Sequence, residues 1–182
     1  MKKLALVGFV VLAITAGLAQ TQVTVPGNAS GYFGNTAYGM VPLVPAITVT
    51  GPGTITVTYV SGTVNLGGGG SGILTGPNGI TYNMGGAQLP LQEAQGVTGG
   101  KVSDFGALMG AFVPQSRTGC KGFSAIDGTK YKVHVGIRPA DLFFVGESKT
   151  INVTEAGTLF LGINDEGVVD NSGEFVVAVS GP

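Results

Sequence analysis

The sequence predicts an all-β protein, a jelly-roll-type β-sandwich with one inserted loop or hairpin and a cleaved N-terminal signal peptide. Three observations lead there. Short runs of alternating apolar and Thr residues recur along the chain, Gly- and Pro-containing turns separate them, and no 11-residue stretch beyond the leader has helical periodicity. Evenly spaced short strands of this kind suit a sandwich or jelly roll.

Residues 1–19 read as the signal peptide. "MKK" is a positive start, "LALVGFVVLAITAG" an apolar run, and Gly17 and Ala19 are small residues at −3 and −1 of a cleavage site after Ala19. The apolar run is short against the roughly 20 residues of a spanning helix, and no later segment is long and apolar enough to span. The expected mature chain is therefore secreted, extracellular or periplasmic, or held at a cell surface, with no membrane span.

Residues 20–46 form an N-terminal extension with the first strands, starting at "QVTV", and 47–182 the sandwich domain. In 54–60, Ile55, Val57 and Tyr59 alternate with Thr54, Thr56 and Thr58, the period of a half-buried strand. Gly51, Pro52 and Gly53 separate this run from "PAITVT", and the two runs read as a hairpin. The segment from Asn65 to Gly100 reads as Gly-rich surface loops with a turn at "GPNG". Its "GGGGSG" lacks the following GK[ST] of a phosphate-binding loop.

"FGALMGAFVP" reads as a buried strand, because Gly106 and Gly110 would weaken a helix. Residues 115–142 hold five basic residues, Arg117, Lys121, Lys130, Lys132 and Arg138, and read as an insertion on the domain edge. "KTINV" and "GTLFLGIN", joined by the tight turn "TEAG", and finally "GEFVVAVSG" complete the strands.

Charge excludes some partners. Of nine Lys and Arg, Lys2 and Lys3 leave with the leader, so seven face ten Asp and Glu, a net charge of −3. That is the wrong sign for a nucleic-acid binder. Catalytic residues are scarce. The one His, His134, sits on the polar face of "YKVHVGI", and the one Cys, Cys120, reads as a buried apolar side chain. One His and one Cys serve zinc poorly, and carboxylates of a single loop rarely straddle a sugar for hydrolysis. No catalytic residue is assigned, and the chain does not read as an enzyme.

The concentration of oxygen ligands in "GTLFLGINDEGVVDNSGEFVVAV" stands out in so neutral a chain. Calcium takes about 6–8 oxygens from carboxylates, amides, carbonyls and water. Asp165, Asp170 and Asn171 offer side-chain oxygens within seven residues, and "EGVV" can turn a carbonyl inward. The spacing is not that of an EF-hand, and Asp and Asn are also good turn residues in their own right.

"LFLGINDEGVVDNSGEFVVAV" resembles the closing hairpin of the calcium-dependent galactophilic bacterial lectins, the PA-IL-like family. "GTVNLG" followed by "GPNG", then "GALMGAF" and "FFVGESKTINV", fall in family order, and the resemblance covers most of 47–179. It implies a small jelly-roll sandwich in which one calcium ion ligates both protein and sugar hydroxyls. By position it implies metal ligands at Asp165, Asp170 and Asn171, with carbonyls near Val168 and Leu66. It implies sugar contacts at Asp165, Glu166 and Asp170. The family archetype has a His and a Gln after the turn. This chain has no His there, and Gln88, with Gln92 and Gln95, matches by residue type alone.

The expected function is thus an exported, non-catalytic, lectin-like module that engages a carbohydrate, galactose-like by resemblance, through loop-bound calcium. The alternative is a structural or adhesive surface, matrix or fibre subunit. There calcium would only stabilise the C-terminal hairpin, and neutral exposed strands would favour a homo-oligomer.

Overall fold

The structure, a computed structural model, describes residues 20–29, 43–67, 72–83, 101–117, 141–165 and 167–182. The leader, Cys120, His134, Glu166, Gln88, Gln92, Gln95 and most of the 115–142 insertion lie outside them. The described chain is antiparallel β-sheet throughout, with no α-helix. The strands are β1 (Gln20–Pro26), β2 (Val44–Val49), β3 (Gly53–Leu66), β4 (Ile73–Thr75), β5 (Ile80–Asn83), β6 (Lys101–Phe105), β7 (Leu108–Pro114), β8 (Leu142–Phe144), β9 (Ser148–Val153), β10 (Gly157–Ile163) and β11 (Ser172–Ser180).

They form two packed layers. One sheet runs β1-β11-β3, with β9 and β4 sharing the far edge of the long strand β3, and the other runs β2-β10-β7-β8. β5 and β6 make a separate two-stranded pair. Val25, Ile55, Val57, Val64, Phe175, Val177 and Val179 of the first sheet meet Val49, Leu108, Leu159, Leu161 and Ile163 of the second in one core. Removing this apolar surface from water is the main drive for the two layers to pack.

The alternation in β3 works as the sequence predicts. Ile55 and Val57 are buried, Thr54 and Thr58 exposed, and half-buried Tyr59 turns its ring edge-on to Phe175 at 6.0 Å. The period then breaks. Tyr59 pairs with Val177 but Ser61 with Val176, so Val60 is an extra residue and points outward. This bulge flips the parity, and Val64 and Leu66 become the inward residues. β7 is buried on both faces because Ala111 and Val113 join Leu43, Leu142 and Phe160 in a second apolar cluster behind the sheet. An apolar run without alternation is the signature of such a strand.

Two connections differ from the sequence reading, and a third, the expected tight turn, also crosses between the sheets. The Gly51–Gly53 turn does not close a hairpin, because β2 pairs with β10 and β3 with β11, β9 and β4. "TEAG" likewise carries the chain from β9 in one sheet to β10 in the other. The stretch read as a closing hairpin is also an arch: β10 pairs with β2 and β7, β11 with β1 and β3. Strands with an apolar face on each layer of a sandwich satisfy the same local pattern as hairpin partners, and burial of both inner faces decides between them. At these three connections the chain therefore crosses from one layer to the other, as in a jelly roll. The Gly-rich region is also less loop-like than expected, since β4 and β5 lie in it, joined by a turn in which Gly79 N–H donates to the Gly76 carbonyl at 3.0 Å.

The ends of the insertion leave the sheet at one edge, between β7 and the edge strand β8, with Leu142 already part of β8. A 2.6 Å ion pair from Arg117 to Asp141 ties its base together. Among the described residues no helix is long and apolar enough to cross a membrane.

Candidate functional site

The arch from Asn164 to Asn171 closes one end of the sandwich. Its first residue, Asn164, is fully buried and stitches the arch to the turn after β6. Asn164 Nδ2 donates to the Asp104 carbonyl at 2.9 Å, its N–H to Ala107 O at 2.9 Å, and its carbonyl accepts from Gly106 N–H at 2.9 Å. A polar side chain with no exposure has to find such partners, since an unmade hydrogen bond there costs about 1–3 kcal/mol.

Asp165 is next, 5% exposed. One carboxylate oxygen accepts from Gly167 N–H at 3.0 Å, an Asx turn that folds the arch back on itself. The other accepts from Asn171 Nδ2 at 2.8 Å. Asn171 is buried too, and all of its amide is committed. Nδ2 also donates to the Gly27 carbonyl at 3.1 Å, and Oδ1 accepts from Gly67 N–H at 3.1 Å. These three partners fix the orientation of the amide, because a reversed amide would point oxygen at two acceptors. Asp165 and Asn171 thus join the arch to β3 and to the end of β1.

Between them Val168–Asp170 forms a 3-10 turn, with Val168 buried and its carbonyl accepting from Asn171 N–H at 3.2 Å. Asp170 is exposed and lies over Gly67, where a Cβ would collide with its side chain. Only glycine leaves room for that approach. Leu66, buried beside it, supplies the wall beneath.

Of the residues singled out from sequence, the fold brings Asp165, Asp170, Asn171, Val168 and Leu66 together. Sequence reasoning did not find Gly27, which comes from the end of β1 and is distant in the chain. Nor did it find Asp104, whose carbonyl anchors the arch. Burial pushes the Asp104 carboxyl above its ordinary value of 3.8, with its own backbone N–H opposing the shift. Asn65 is a third omission. Its Oδ1 is buried with no hydrogen-bond partner among the described residues and lies against Gly72, where a Cβ would overlap it.

The donor types suit a hard cation: two carboxylates, an amide oxygen, and the carbonyls of Val168 and Gly27. Among the described residues no group of three or more Asp, Glu, His or Cys gathers here, so neutral oxygens would have to supply much of the coordination. The geometry is mixed in one respect, because Asn171 faces Asp165 with its nitrogen and not its oxygen.

No family model matches the chain, and no curated protein matches it. Among solved structures it is similar to the N-terminal domain of EclA, described as a PllA-like lectin. The TM-score is 0.43 and the identity 20%, over 88% of this chain and 95% of that one. A likeness of that size carries neither the fold nor the function of that domain over to this chain.

Proposed function

We propose that the protein is an exported, non-catalytic carbohydrate-binding module whose site is the arch between β10 and β11. The observation that carries the reading is the meeting of Asp165, Asp170, Asn171 and the Val168 carbonyl at one end of the sandwich, with the Asp170 carboxylate at the surface. The sequence resemblance over 47–179 points the same way. Bound calcium would supply a strong acceptor for paired hydroxyls. The chain's own part is to hold Asp165 and Asn171 rigidly in the interior and to present Asp170 outward over Gly67. Neutral surroundings suit a polyhydroxylated, uncharged ligand. A glycan array of the full chain tests this, run with calcium and again with a chelator. Chelator-sensitive hits are the expected result, and no binding at either condition refutes the reading.

A second reading has its own support. Both Asp165 oxygens already accept from protein donors, and Asn171 bridges to Gly27 and Gly67. Such a clip can lock the arch of a structural or adhesive subunit without an ion. Light scattering that shows concentration-dependent oligomers, together with silent glycan arrays, would favour it.

A further inference from the structure

The turn after β6 touches the arch on one side and β3 on the other. Asn164 holds it through Asp104 and Gly106, as described, and on the other side Gly106 packs on Leu66. A Cβ at Gly106 would stand 2.6 Å from Leu66 Cδ1, and its φ of +75° is one that side chains rarely adopt. Phe105 stands between Asp104 and Gly106, both bonded to Asn164 of the arch, and it is 8% exposed. Tyr82 lies on Phe105, with ring centroids 5.1 Å apart and planes 30° from parallel. Tyr82 itself is 42% exposed. Its ring is thus backed by a buried ring and open to solvent. Among the described residues the other large exposed apolar side chains, Val60, Leu74, Phe144 and Val169, have no stacked partner.

We propose that Tyr82 is the platform on which a pyranose ring lies while its hydroxyls engage the arch. The inference rests on the carbohydrate-binding reading above. An aromatic face carries negative charge density that attracts the polarised C–H groups on one face of a sugar. Stacking on Phe105 fixes the ring before the ligand arrives, so little side-chain freedom is lost on binding. The chain has no Trp, and Tyr82 supplies the π-surface that a sugar site otherwise draws from one.

The test is titration calorimetry of the full chain in calcium with methyl galactoside, methyl glucoside and methyl mannoside, using wild type, Tyr82→Phe and Tyr82→Ala. The sugar that binds should bind Tyr82→Phe within about twofold and Tyr82→Ala about tenfold more weakly. In parallel, the near-ultraviolet tyrosine difference spectrum on sugar addition should be present in wild type and reduced in Tyr82→Phe, a readout independent of how Tyr82→Ala folds. Wild-type affinity in Tyr82→Ala, or an undiminished tyrosine signal in Tyr82→Phe, overturns the platform and leaves the carbohydrate reading standing. Failure of wild type to bind any of the three, with a silent glycan array, overturns that reading and the platform with it.

Discussion

Asp165 and Asp170 lie in one arch but in opposite environments, one buried and one exposed, and substitution should separate them. Asp165→Ala removes an acceptor from the buried Asn171 amide, and should cost about 1–3 kcal/mol in chemical denaturation even without metal. Asp170→Asn alters an exposed group, so stability in chelator should stay within about 0.5 kcal/mol of the parent. Both should lose the rise in melting temperature on adding calcium. An unchanged shift in Asp170→Asn would remove that residue from the site. Asp104 gives a pH signature. Burial raises its pKa above 3.8, so the folded chain holds this proton more tightly than the unfolded chain. Its favourable contribution is present at acid pH and is lost as pH rises through the folded value. Asp104→Asn should therefore melt higher than the parent at about pH 7, with the difference vanishing below about pH 4. A difference that persists in acid would show that desolvation is not the cause.

The elements were largely legible because their period is local. Ile55, Val57 and the Thr residues between them declare half of β3, and the unbroken apolar run of β7 declares burial on both faces. What the residues could not declare was the partner. Gly51–Gly53, "TEAG" and the 164–171 arch all reverse the chain, and a reversal reads alike whether the next strand pairs with the last or crosses to the other sheet. The bulge at Val60 was equally hidden, since only the register against Val176 and Val177 reveals the extra residue. The candidate site was legible where its residues are close in sequence, at Asp165, Asp170 and Asn171. Gly27 and Asp104 were not, because they come to the arch from other strands. Gly106 links these elements, and Gly106→Ala should destabilise the chain by roughly 1–3 kcal/mol through strain at positive φ and collision with Leu66. Wild-type stability in that variant would mean the turn yields without cost.

At the largest scale, the described residues form two packed sheets sharing one core and a separate β5–β6 pair, with the polar arch at one end. Phe175 sits at the centre of that core, fully buried between Tyr59 and the facing sheet. Phe175→Ala should cost about 3–5 kcal/mol by urea denaturation, and a loss below 1 kcal/mol would contradict the packing described. The proposed site needs a rigid frame that holds Asp165, Asn171 and the Tyr82–Phe105 stack in fixed relation. The most direct measurement of the central claim is a crystal structure grown with calcium and the best glycan from the array. The account predicts a cation at Asp165, Asp170 and Asn171 with sugar hydroxyls completing its shell. Asp165 and Asn171 still paired through Nδ2, with no ion and no sugar at the arch, would contradict it.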